Sequence, residues 1–277
     1  MSFFYFAVVR FYRILNYISL DVAFGAMVCG AFFARILDVK VRPHGLAALG
    51  VTVWIIYTMD HLLDAYRIQR DASTERHRFH QRNFKGLLLM VFLAGLANLA
   101  LLYFIRKPVL LWGAGLCVLV IFYILFQRRL AQFKEVVIAL LYAAGVVLPA
   151  LSQTSEGFSL QNILILASFM LTALTNLILF SWFEFEIDVM DGHTSIVTFL
   201  GQMDTRRLIK ILFFTQTVMW LILLIFTSGW QESAVLILMN VPLLLLFLEP
   251  KRFFKNDAYR FIGDSVFLFP IIYLLWA

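Results

Sequence analysis

The sequence predicts an all-α integral membrane protein, a bundle of nine transmembrane helices. Of its 277 residues 62% are hydrophobic and only 14% are charged. Long apolar runs recur from end to end, and no strand-period alternation of the outer-membrane barrel type interrupts them. Lipid offers no partner to an unpaired backbone N–H or C=O, so apolar runs of this length must satisfy their backbones internally, as helices.

In chain order the spans are expected at about residues 15–36, 45–66, 86–105, 109–126, 136–151, 160–185, 208–226, 234–248 and 261–276. The stretch MSFFYFAVVRFYR ahead of the first span lacks a basic region followed by a small-residue cleavage site. It reads as a short interfacial helix leading into a retained anchor. No low-complexity linker breaks the chain, and residues 1–277 read as a single transmembrane domain.

Lys and Arg concentrate in short cytoplasmic loops, and here the bias is strong. With nine spans, the N-terminal side with the 2/3, 4/5, 6/7 and 8/9 loops carries 18 basic residues and the other side carries five: Arg35, Lys40, Arg42, Arg106 and Lys107. The expectation is a multi-pass protein of the cell membrane with its N-terminus cytoplasmic and its C-terminus outside. The net charge of +6 mostly restates this bias. It suits anionic lipid headgroups or a phosphorylated substrate and argues against a nucleic-acid partner. Cys29 and Cys117 fall inside apolar spans without metal-type spacing, so both are read as small packing residues.

Two acidic clusters interrupt the apolar pattern. Asp60 and Asp64 close the second span in YTMDHLLDAY, and Glu184, Asp188 and Asp191 close the sixth in FEFEIDVMDG. Each cluster contains an i, i+4 pair projecting from one helix face, where like charges repel and carboxylates oppose the C-terminal end of the helix dipole. Carboxylates near lipid are expensive, so two such pairs on one side of the membrane call for a compensating cation or a water-filled cavity. Each face could hold a metal. Magnesium suits such a site, because one or two carboxylates commonly hold it while substrate phosphates and water complete its shell.

Both clusters run into basic loops, the first into RIQRDASTERHRFHQRNFKG. Arg67, one turn beyond Asp64, is the first candidate for a phosphate contact; Lys134 and Arg128 of the 4/5 loop are second candidates. The other arginines of that loop, Arg76 among them, are read as solvated or headgroup contacts, and so are His77 and His80, which have ligand-like spacing but sit among those arginines. His61 is adjacent to Asp60 and turns off the acidic face by one position. Asp21, Asn98, Asn176 and Asp264 stand in apolar context, where hydrogen bonds between helices are expected. Asn176 lies about two turns before Glu184 on nearly the same face and is a candidate for an acceptor pocket.

These residues resemble the UbiA-type intramembrane prenyltransferases, a family with nine helices and two cytoplasm-facing acidic motifs, NxxxDxxxD after the second helix and DxxxD after the sixth. Here the second motif continues through VMDG into HTSIVTFLG, with Gly192, Ser195 and Gly201 where the family pattern has its glycines and small polar residue. Lys134 in QFKEVV adds a third point of likeness. The chain departs from the pattern at Ile56, where Asn is usual; at Glu184, where Asp is usual; at Val189, often basic; and at Leu130, often Tyr.

The resemblance implies Mg²⁺-dependent transfer of an isoprenyl group from a prenyl diphosphate to an aromatic, quinone-like or other lipophilic acceptor. Asp60, Asp64, Glu184 and Asp188 would hold the metal, and Asp191 would serve as a further ligand or as the base for the acceptor proton. Two alternatives stand beside it. An ion-coupled carrier would place acids near the midplane on broken helices, whereas these helices read as mostly continuous. A non-catalytic membrane subunit would keep the scaffold without turnover.

Overall fold

A computed structural model describes residues 14–68, 74–127, 129–154, 159–192, 194–227 and 230–276. Every regular element among them is helical: α1 (Leu20–Ile36), α2 (Pro43–Arg67), α3 (Glu75–Arg82), α4 (Phe84–Leu102), α5 (Lys107–Phe126), α6 (Lys134–Leu151), α7 (Leu160–Phe183), α8 (Phe185–Asp191), α9 (Ile196–Phe226), α10 (Trp230–Leu248), α11 (Pro250–Phe254), α12 (Ala258–Ser265) and α13 (Ile271–Trp276). The proposed interfacial helix over residues 1–13 lies outside the described residues.

Among the described residues eight segments are long and apolar enough to cross a membrane: α2, α4, α5, α6, α7, α9, α10 and the composite Ala258–Trp276. The first expected span differs from the reading of residues 15–36. Ser19 adopts the left-handed conformation (φ 57°) and breaks the helix, leaving α1 with 17 residues. The break frees Asn16 to reach inward, where its Nδ2 donates to Asp21 at 2.5 Å and to Asp264 at 2.8 Å.

The last span also departs from the expectation of continuous helices. A 3₁₀ turn at Val266–Leu268 and Pro270, which has no N–H to give, separate α12 from α13. The Phe267 carbonyl at this break accepts from the Cys29 Sγ of α1 at 3.1 Å, so a backbone group at the interruption is satisfied by a neighbouring helix. Cys29 is buried as expected, but Cys117 is exposed on α5.

Helix starts follow local chemistry. Pro43 and Pro108 stand in the first turns of α2 and α5, where a missing N–H costs nothing. Ser159 caps α7 through the Asn162 N–H, and Ser195 forms a capping box with Thr198 at the start of α9. Gly192 ends α8 at φ 71° and Gly201 kinks α9 at φ 79°, conformations that carry a steric penalty for any residue with a Cβ.

The centre of the bundle is α7, held by hydrogen bonds rather than by apolar contact alone. Gln216 of α9 bonds to Thr172 at 3.0 Å and to Thr175 at 3.1 Å, Trp220 Nε1 donates to Ser168 at 2.8 Å, and Asn240 of α10 donates to Thr172 at 2.8 Å. Lipid is as apolar as leucine, so helices in a bilayer gain specificity from close packing and such polar pairs. Asn98 behaves as expected and donates to Thr52 at 2.8 Å, joining α4 to α2.

Candidate active site

The site arises where several helix ends meet. Helix α2 ends in the first acidic pair. Its continuation folds back as α3, an eight-residue helix capped by Thr74, whose side chain accepts from the His77 N–H at 3.2 Å. Gln81 ties α3 to the end of α2 by donating to the Ala65 and Ile68 carbonyls. Arg76 and His80, one turn apart, therefore point inward, and both are buried.

Glu135 fastens the facing elements. Its carboxylate accepts from Ser181 Oγ at 2.8 Å and from the Ile196 N–H at 3.1 Å, joining the starts of α6 and α9 to the end of α7. An acid at the first turn of α9 also complements that helix's dipole.

Between these ends lies a cavity of about 190 Å³. That is well beyond the 10–15 Å³ or so that one water needs on such a measure. Asp60 and Asp64 of α2, Glu184, and Asp188 of α8 all line it, together with Lys134 and Asn176. Asp191 is not among the lining residues. Arg128 and the side chain of Arg67 lie outside the described residues.

Several lining residues escaped the sequence reading. Arg76 and His77, expected in solvent or at headgroups, line the cavity because α3 folds over it, and Arg260 of α12 joins them. His61, expected to turn away, also lines it, because the cavity extends between α2 and α3. His80 is fully buried with its ring 5.2 Å from that of His61. Burial pushes its imidazole down to about 4, so the residue is neutral near pH 7. The α3 helix had one legible signal, the i, i+4 spacing of Arg76 and His80 after a Thr cap.

The charges of the cavity are unevenly settled. Burial raises the Asp188 carboxyl to about 7, reinforced by the Glu184 charge and opposed by Lys134 and Arg260. Burial also lowers the Arg76 guanidinium from its usual range, with Arg260 adding repulsion, and the Arg76 Nε is buried without a hydrogen-bond partner. Glu184 is the exception. Arg260 grips it through Nε at 2.7 Å and through Nη2, Tyr259 Oη donates to it at 2.6 Å, and these contacts hold its carboxyl below the usual range despite burial.

The lining is also rich in rings, with Tyr57, Tyr123, Tyr142, Phe180 and Phe267. The Arg260 guanidinium sits 5.3 Å from the Phe180 ring centroid. A cavity lined by carboxylates, cations and rings together can take an amphiphile whose head is anionic and whose tail is apolar.

No protein-family model and no curated protein sequence matches this chain. Solved structures do. A UbiA homologue from Aeropyrum pernix K1 in its apo form superposes with a TM-score of 0.66 at 13% identity, over 93% of this chain and 98% of that one. A UbiA homologue from Archaeoglobus fulgidus bound to GPP and Mg²⁺ gives 0.65 at 13%, over 93% and 98%. A digeranylgeranylglyceryl phosphate synthase gives 0.55 at 15%, over 95% and 97%. The chain has the fold of the UbiA homologues, a multi-pass helical membrane architecture.

Proposed function

We propose that the protein transfers an isoprenyl group from a prenyl diphosphate to a lipophilic acceptor within the membrane. The observation that carries this reading is the convergence of Asp60, Asp64 and Asp188 with Arg76, Lys134 and Arg260 on a single cavity that several aromatic rings also line. Three of the solved structures support it in kind, two UbiA homologues bound to DMAPP or GPP with Mg²⁺ and a digeranylgeranylglyceryl phosphate synthase.

The donor set fits Mg²⁺. It consists of carboxylate oxygens from two helices, and the Asp188 carboxyl, raised by burial and by the Glu184 charge, is one that a bound cation would hold ionised. Among the described residues no group of three or more His, Cys, Asp or Glu side chains is placed to hold a metal ion by itself. Magnesium needs none, since substrate phosphate supplies part of its shell. Asp60, Asp64 and Asp188 would hold it, and when bound it supplies neutralisation of the diphosphate and of the charge that grows there as the allylic C–O bond breaks.

Arg76 and Lys134 then bind the diphosphate oxygens, and the unspent Nε–H of Arg76 is one donor held ready. Tyr57, Tyr123, Tyr142 and Phe267 line the path of the prenyl chain, exclude water and face the allylic cation. Asn176 sits among them as a polar contact for the acceptor. The scaffold is read as one nine-span unit with α1 as its first crossing, its N-terminus and acidic motifs toward the cytoplasm and its C-terminus outside.

Purified protein in detergent, given Mg²⁺, prenyl diphosphates of graded length and a lipid extract, is expected to release diphosphate and form a new lipophilic product. The carrier reading gains one observation, the interrupted last span. It predicts neither release nor product, and that result would overturn the transferase assignment.

A further inference from the structure

The two acidic pairs look equivalent in the sequence, but the fold treats them differently. Asp60 and Asp64 stand on a continuous stretch of α2. Glu184 sits at the junction of α7 and α8, directly against α12. Its Oε1 accepts from both Tyr259 Oη and Arg260 Nε, and its Oε2 accepts from Arg260 Nη2. A carboxylate offers about four lone-pair sites, and three of these are taken.

Arg260 is held as firmly from its own side. Its fork engages Glu184 in the two-point geometry that fixes a guanidinium plane, and its charge lies over the rings of Phe180 and Tyr259. A guanidinium has five N–H donors and the pair uses two, so others remain on a side chain that lines the cavity. The result is a fixed positive charge beside Glu184 on the second acidic face.

We propose that Glu184 is a positioning residue and not a metal ligand. It holds Arg260 in place, and this guanidinium replaces a metal ion on the second acidic face. The site then takes a single divalent cation, held by Asp60, Asp64 and Asp188, with Arg260 supplying the complementary charge to the diphosphate. This rests on the prenyl-diphosphate reading and deepens it. It also gives a reason for Glu at this position: the longer side chain spans the gap to α12.

The test counts bound metal in the purified protein with Mn²⁺ as the probe and inorganic pyrophosphate as the ligand, by electron paramagnetic resonance and equilibrium dialysis. Wild type is expected to bind one Mn²⁺ per chain at saturating pyrophosphate. Two per chain overturns the inference while leaving the transferase reading intact; no Mn²⁺-dependent pyrophosphate binding at all sinks both. This measurement on wild type does not depend on any variant folding.

Variants then separate the roles. Glu184→Gln is expected to keep one Mn²⁺ and to lose about tenfold in pyrophosphate affinity, because Arg260 is no longer held. Arg260→Met should show at least that loss at the same metal count, and Arg260→Lys should recover part of it. If Glu184→Gln loses its Mn²⁺ while Arg260→Met binds pyrophosphate as wild type does, Glu184 is a ligand and the inference fails.

Discussion

Helix α7 and helices α4 and α5 are similarly apolar, yet 56% of the apolar window of α7 is buried inside the protein and only 6% of that of α4 and of α5. The difference lies in the few residues that are not apolar. Along α7 run Ser168, Thr172, Thr175, Asn176 and Ser181, all buried, and three of them bond to α9 or α10. Along α4 and α5 such residues are scarce, and Leu89, Phe92, Leu99, Leu119 and Phe122 face outward. In a lipid solvent hydropathy does not distinguish inside from outside; the small polar residues do.

The comparison is broken most sharply at the cavity that the α7 side of the bundle helps to build. Asp188→Asn is expected to weaken Mg²⁺-dependent pyrophosphate binding by about 100-fold, near 2.7 kcal/mol, without disturbing membrane insertion. Unchanged titration curves in this variant and in Asp60→Ala would remove the metal assignment.

The next effect is a pH dependence. Binding a cation requires Asp188 as the carboxylate, and its carboxyl titrates at about 7, so apparent Mg²⁺ affinity should fall by about tenfold for each pH unit below that value and level off above it. In the metal-free protein the sign is opposite. The folded group titrates above its ordinary 3.8, so the metal-free fold loses stability as pH rises through the interval up to about 7. Without metal, Asp188→Asn should therefore melt higher than wild type at pH 8 and show no such advantage at pH 3.

Packing separates the two regions next. A Cβ on Gly263 would stand 2.4 Å from Asn176 Oδ1 and 2.4 Å from the Phe180 ring, whereas one on Gly95 of α4 or Gly113 of α5 meets nothing within 4 Å. Gly263→Ala is expected to cost about 1–3 kcal/mol of stability, and Gly95→Ala and Gly113→Ala none. Equal melting temperatures for all three would show that α7 and α12 are looser than described.

The smallest contrast is polar. Gln216→Leu, which cuts two bonds to α7, should cost about 0.6–1.7 kcal/mol in detergent unfolding, while Leu99→Ala on the exposed face of α4 should change little. A larger loss for Leu99→Ala would mean that this face of α4 is covered by protein and not by lipid.

Much of this was readable along the chain. The i, i+4 acidic pairs announced a shared site because charge at a membrane helix end needs an explanation nearby. Arg76 was missed because a basic residue in a polar loop defaults to solvent, and only the folding back of α3 reverses that. Arg260 was missed because one cation near the start of the last span has no visible partner until α12 lies against the end of α7. Glu135 carried no periodic signal at all, since its partners are a hydroxyl and a backbone N–H on other helices.

By itself the amino-acid order determined the helical membrane class and the positions of the acidic pairs, because hydropathy and periodicity are properties of neighbours along one chain. The tertiary structure alone decided which acids keep company with which cations. Glu184 and Arg260 are 76 positions apart, and at that separation packing brings charges together, not spacing.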